Sequence, residues 1–110
     1  ASVPDAEYQA VGAVIGSAAD ALGSDIVLKV RGPEPAELGM LKRGGIVVGL
    51  LNPWDAAGLE ALAQAGVTGF AMEWLPRTTR AQAMDVLSSQ ANIAGYKAVI
   101  IAANEYGRFM

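Results

Sequence analysis

A chain of 110 residues with 53% hydrophobic and 17% charged side chains suffices for one domain and is too apolar for a disordered tail. Its net charge of −3, with Lys and Arg scattered, excludes the basic stripe that nucleic-acid phosphates demand. Neither Cys nor His is present, which excludes disulfides, thiolate nucleophiles, a histidine acid or base and the commonest transition-metal ligands, so no metal site is expected. Reading from the start, Ala-Ser-Val-Pro-Asp lacks a basic region followed by an apolar run, so no signal peptide is expected. Ser2 can cap a short helix through Tyr8 and Val11, with Pro4 and Asp5 in its first turn, before Ala13 to Ile15 turns briefly extended. Ser17 followed by Asp20 has capping-box spacing for one or two helical turns that stop at Gly23.

Asp25 to Val30 is short, rich in β-branched residues and bounded by Gly23 and Gly32, which favours a strand. Second and third strands are expected at Ile46 to Leu51 and Val67 to Met72. Between them, Pro35 to Leu41 is predicted as a helix ending at Gly44-Gly45. A further helix over Trp54 to Ala65 starts from Asn52-Pro53 and ends at Gly66. The β-α-β-α-β alternation implies parallel strands, right-handed crossovers and helices on the sheet faces. A doubly wound domain of this kind ordinarily has one or two strands more upstream, so the fold class expected is a truncated Rossmann-like parallel α/β sheet of three to four strands with flanking helices. From Thr79 to about Asn104 one long C-terminal helix is predicted, with Thr79 and Gln82 as its capping box. Met84, Leu87, Ala91, Gly95, Ala98 and Ala102 share one stripe of that helix, rich in small residues that let another backbone approach. Its apolar run from Ala91 to Ala103 contains Asn92 and Lys97 and is shorter than the ~20 residues that cross a membrane, so direct insertion is not expected.

The polar residues concentrate where the third strand hands over to the long helix: Arg77-Thr-Thr-Arg80-Ala-Gln82-Ala-Met-Asp85-Val-Leu-Ser88. In open parallel sheets, ligands occupy the crevice outside the carboxyl ends of the strands. These side chains suit a planar amide, since Asp85 accepts from an NH2 group while Arg77, Gln82 or Ser88 donates to a carbonyl. The competing reading gives Asp85 a purely local part in the first turns of a helix, where the dipole favours a carboxylate, with Arg77 and Arg80 as its solvated partners. Elsewhere Trp54 and Trp74 read as core or interface aromatics, Met40, Met72 and Met84 as gap-fillers, and Glu73 as an ion-pair partner of Arg77. Tyr96 and Lys97 belong to an exposed helix face or a subunit contact.

The run Met72-Glu-Trp-Leu-Pro-Arg77-Thr-Thr-Arg80-Ala-Gln82-Ala-Met-Asp85-Val-Leu-Ser88-Ser-Gln-Ala-Asn-Ile-Ala-Gly-Tyr-Lys-Ala-Val99 closely resembles the alpha subunit (domain I) of NAD(P) transhydrogenase. Asp25 to Pro33, Gly44 to Leu51 and Val67 to Met72 resemble it more weakly, so the likeness covers nearly the whole chain. The resemblance implies that Arg77, Asp85 and Ser88 orient the nicotinamide of NAD(H), that Gln82 faces a partner domain holding NADP(H), and that hydride passes between the two nucleotides. It implies as well a homodimer, a membrane domain that translocates protons, and a cytoplasmic location peripheral to the inner membrane through partner subunits.

On this reading residues 1–78 form a partial N-terminal lobe, and 79–110 a long helix leading toward a dinucleotide-binding lobe absent from this sequence. Gly12-Ala-Val-Ile-Gly16 is not the G-x-G-x-x-G phosphate turn, so pyrophosphate has no recognisable cradle. The 110-residue chain is therefore expected to bind NADH weakly and to associate with itself. No acid or base is needed, because hydride transfer between nicotinamides makes and consumes no proton at the reacting carbons. Alanine dehydrogenase resembles this lobe too, but its relatives carry a Lys and a His that handle pyruvate, and the matching positions hold Arg31 and Asn52, which cannot titrate usefully. A third reading makes the chain an inert folding or oligomerisation module.

Overall fold

Three short strands form the centre of the molecule, the first two rich in β-branched residues, in a computed structural model that describes residues 3–108. They are β1 (Ile26–Arg31), β2 (Ile46–Leu50) and β3 (Thr68–Ala71), all parallel and in the order β1-β2-β3. Ile26 stands opposite Ile46, and Ile46 opposite Thr68. Because side chains alternate along a strand, this register puts Val27 and Val47 on one face, where they meet Leu22, Leu41, Leu51 and Leu62. Val47 is the deepest of these, 1% exposed. On the opposite face Leu28 and Val30 remain 77% and 79% exposed, so the sheet is covered on one side only. The ladder slips between Lys29 and Arg31, and at this irregularity Gly49 presses against β1: a Cβ there would collide with the Lys29 carbonyl oxygen.

The helices carry the apolar side chains that cover the packed face. Helix α1 spans Asp5–Ala10 with Pro4 at its N-cap; the expected Ser2 cap lies outside the described residues. Helix α2 (Ala18–Leu22) opens with the predicted capping box, Ser17 N–H donating to Asp20 at 2.9 Å and Asp20 N–H donating to Ser17 Oγ at 3.2 Å, and it delivers Leu22 to the core. Helix α3 (Ala56–Ala65) contributes Leu62 and stops at Gly66, whose φ of 72° a glycine adopts without strain. It begins at Ala56 rather than Trp54, because Asp55 N–H first closes a turn onto the Asn52 carbonyl at 3.0 Å.

Pro35 to Leu41 is not the helix its spacing predicts. Gly39 lies in the middle of the segment and disfavours helix, and only a 3-10 turn at Leu38–Met40 forms. The segment is tied down by Glu37 instead, which accepts from the Glu34 N–H at 2.8 Å and pairs with Lys29 at 2.7 Å. Of the two places expected for the tryptophans, core or interface, the core is excluded, Trp54 and Trp74 being 70% and 64% exposed.

The long C-terminal helix, α4, runs over Val86–Glu105 and has no buried residue. Its start lies at Asp85 rather than Thr79. The Thr79–Gln82 capping box does not form, because the chain first makes a separate 3-10 turn at Gln82–Met84 and Asp85 then takes the N-cap. Projection of α4 away from the sheet gives a radius of gyration of 18.1 Å, against about 13 Å for a compact chain of this size. No helix among the described residues is long and apolar enough to cross a membrane.

Candidate functional site

The exit of β3 sets the site. Past Ala71 the backbone makes a 3-10 turn at Met72–Trp74, passes Pro76, and loops through Arg77 to Arg80 before the turn that precedes α4. Ala81, 6% exposed, is the one buried residue of this loop and anchors it. Its N–H donates to the Thr78 carbonyl at 3.1 Å, which folds Arg77 back toward the start of α4. The outcome is a cleft of about 340 Å³ lined by Pro76, Arg77, Thr78, Thr79, Gln82, Asp85 and Ser88. All four residues singled out from the sequence, Arg77, Gln82, Asp85 and Ser88, therefore face one space.

Within the cleft Asp85 is fully engaged with the helix it caps. Its Oδ1 accepts from the N–H groups of Leu87 and Ser88 at 3.0 and 3.3 Å, and its Oδ2 accepts from the Ser88 hydroxyl at 2.6 Å. The hydroxyl and then the backbone N–H of Ser88 do most to lower the pKa of Asp85 from its ordinary value; partial desolvation opposes them, and the Leu87 N–H and the more distant Arg77 charge add smaller lowering effects. The carboxylate is accordingly ionised at neutral pH and acts only as an acceptor. Neither Arg77 nor Arg80 makes an ion pair with it: within the described residues the salt bridges join Lys29 to Glu37 and Lys42 to Asp25. Asp85 thus both caps α4 and lines the cleft, so the local reading of this residue does not exclude the other.

The Ser88 hydroxyl spends its proton on Asp85, which leaves its oxygen lone pairs as acceptors toward the cleft. Asp85 and Ser88 form an accepting edge, while Arg77 and Gln82 bring N–H donors. Such a cleft suits a group that carries an NH2 and a carbonyl side by side.

Glu73 has partners that its sequence position does not reveal. The expected Glu73–Arg77 ion pair is absent; the Glu73 carboxylate instead accepts from the backbone N–H groups of Leu51 at 3.0 Å and Asn52 at 2.6 Å. A charged residue directly after an apolar strand was the available signal, but its partners lie 22 and 21 residues away and are main-chain atoms. A second and larger hollow, about 530 Å³, opens at the carboxyl ends of β1 and β2, with Arg31, Asn52 and Asp55 among its polar lining. The larger space is thus not the one in which the four chosen residues meet.

Comparison with known proteins places this geometry in a family context. Residues 1–94 match the family model described as alanine dehydrogenase/PNT, N-terminal domain. The chain is 48% identical, over 99% of its length, to NAD(P) transhydrogenase subunit alpha of Cereibacter sphaeroides, and covers 21% of that protein. It is 40% identical, over 99% of its length, to NAD(P) transhydrogenase subunit alpha of Haemophilus influenzae, covering 22% of it. The crystal structure of transhydrogenase from Sinorhizobium meliloti superposes on 97% of the chain with a TM-score of 0.91 at 52% identity, the chain covering 32% of that structure. The chain therefore spans between about a fifth and a third of the length of these proteins.

Proposed function

Because this chain belongs to the alanine dehydrogenase/PNT N-terminal domain family, we propose that it supplies the nicotinamide-contacting part of the NAD(H)-binding component of a proton-translocating NAD(P) transhydrogenase. One observation carries the reading: Arg77, Gln82, Asp85 and Ser88, drawn from a loop, a turn and a helix start, line a single cleft. A nicotinamide carboxamide matches that cleft group for group. Its carbonyl accepts from Arg77 or Gln82, and its NH2 donates to Ser88 Oγ or to the remaining lone pair of Asp85. Ionised Asp85 keeps the Ser88 proton turned inward, so the accepting edge has a fixed polarity and the carboxamide has one favoured orientation. Bound NADH supplies the hydride; this chain supplies orientation.

Hydride transfer between two nicotinamide rings takes up and releases no proton at the reacting carbons, so positioning is most of the catalytic task. A carboxylate held below its ordinary pKa is well suited to that role and poorly suited to general acid catalysis. The adenosine and pyrophosphate belong to a dinucleotide-binding lobe toward which residues 79–110 lead, residues 1–78 form a partial N-terminal lobe, and the nicotinamide contacts lie where the two stretches join. Gln82 faces the partner domain that holds NADP(H). The parent is a homodimer on the cytoplasmic side of the inner membrane, joined there to the membrane domain that moves protons.

Asp85→Asn in the full-length protein tests the site. Asparagine caps helices as well as aspartate does, so α4 keeps its start, while the acceptor-only edge is lost. Misplacing reacting atoms by about 1 Å costs ~100-fold in rate, and a fall of that order in hydride transfer at saturating NADH is expected, with little change in melting temperature. Wild-type turnover would refute the assignment.

A further inference from the structure

The exit of β2 holds a built feature that the cleft residues do not explain. The β2–β3 ladder ends at the pairing of Gly49 with Ala71, and the N–H groups of Leu51 and Asn52 follow just past the end of β2, beyond the strand pairing. Glu73 takes both, Oε1 at 3.0 Å from Leu51 and Oε2 at 2.6 Å from Asn52. Each carboxylate oxygen serves one of two adjacent main-chain donors. An amide in its place has only one accepting oxygen and would turn an NH2 toward the other N–H. The donors are themselves constrained: Leu51 is 7% exposed, and Asn52, with φ of 50°, is the one non-glycine residue at positive φ among the described residues. Asn52 also precedes Pro53, so its backbone sits in a sparsely populated conformation that the carboxylate helps to hold.

From Glu73 the chain reaches Arg77 through Trp74, Leu75 and Pro76 alone. Leu75 is partly buried and Pro76 has little freedom in φ, so little slack separates the clamp from the guanidinium. We infer that Glu73 is a positioning residue: it locks the carboxyl ends of β2 and β3 together and thereby fixes where Arg77 enters the cleft. This rests on the proposed function of the cleft. Movement of Arg77 by a fraction of its reach would leave the nucleotide bound through its other contacts while misaligning the ring.

The experiment compares Glu73→Gln, Glu73→Asp and Asp85→Asn in the full-length protein, measuring kcat per folded molecule, KM for NADH and melting temperature. Glu73→Gln is expected to lower kcat about 10-fold or more with KM for NADH within about 2-fold. Glu73→Asp, which keeps two accepting oxygens, should recover part of the loss. Wild-type kcat in folded Glu73→Gln would overturn the inference. So would a mere fall in the amount of folded protein, in either variant, with kcat per folded molecule unchanged. Should Glu73→Gln not fold, Glu73→Asp decides by the same kcat criterion, and failure of both to fold would reduce Glu73 to a structural brace and overturn the inference. If Asp85→Asn lowers kcat and Glu73→Gln does not, only the clamp is wrong; if Asp85→Asn is silent, the reading of the cleft falls.

Discussion

Around Val47 the chain has no room to move, with Leu22, Leu41, Leu51 and Leu62 closed over one face of the sheet and Gly49 pressed to the backbone of β1. Around Asp85 almost nothing is buried; α4 touches the rest of the molecule only near its first turns, and hydrogen bonds to Asp85 close its N-terminal end. Burial therefore resides at the sheet and the proposed nicotinamide contacts at the exposed end, with Ala81 and the Glu73 carboxylate as the links between them. Substitutions at the two ends should separate folding from function.

A pair of glycine substitutions gives the sharpest contrast. In Gly49→Ala the added Cβ meets the Lys29 carbonyl, which cannot yield without breaking the β1–β2 register. A cost on the order of 4 kcal/mol or more is expected, enough to prevent folding, as read by circular dichroism and soluble yield. Gly95→Ala lies in α4 with nothing within 4 Å of the new methyl, and should stabilise by ~0.5–1 kcal/mol through helix propensity. Equal effects at the two positions would erase the contrast between sheet and helix.

Truncation of apolar side chains comes next. Leu62→Ala empties part of the packed face and should cost about 2–5 kcal/mol in urea unfolding. Ile93→Ala, at a position 60% exposed on α4, should change stability by less than about 0.5 kcal/mol.

The smallest effect concerns titration. Because the Ser88 hydroxyl is the largest cause of the low Asp85 pKa, Ser88→Ala should raise the Asp85 midpoint toward 3.8 in a carboxyl NMR titration. A depressed native pKa stabilises the fold fully above the ordinary carboxylate value, and that contribution disappears as pH falls through the native value. Ser88→Ala should therefore lower stability slightly at neutral pH, where that contribution is fully present, and approach the wild type at pH below the native midpoint, which flattens the acid dependence. An unmoved midpoint would mean that the backbone N–H groups, not Ser88, hold the charge.

The sequence made the strands legible because β-branched runs between glycines have few alternatives, and Gly66 ended α3 where its spacing said it would. Thr79 misled as a helix start because Asp85 competes for the same role with two N–H donors and the Ser88 hydroxyl in reach, an outcome that local spacing alone does not rank. Pro35 to Leu41 misled because its punctuation, a proline at the start and Gly44-Gly45 at the end, fits a helix, whereas Gly39 inside it disfavours one and only a 3-10 turn forms. The cleft residues were legible as a set, since Arg77, Gln82, Asp85 and Ser88 are close in sequence. Glu73 was not, because its partners are main-chain groups brought to it by the sheet.

The most direct test of the account is the structure of the full-length protein with NADH bound. The carboxamide is expected within hydrogen-bond distance, roughly 2.7–3.2 Å, of the Asp85–Ser88 edge and of Arg77 or Gln82. Finding the nicotinamide instead in the hollow of Arg31 and Asn52, with the Asp85 cleft empty of it, would contradict the account.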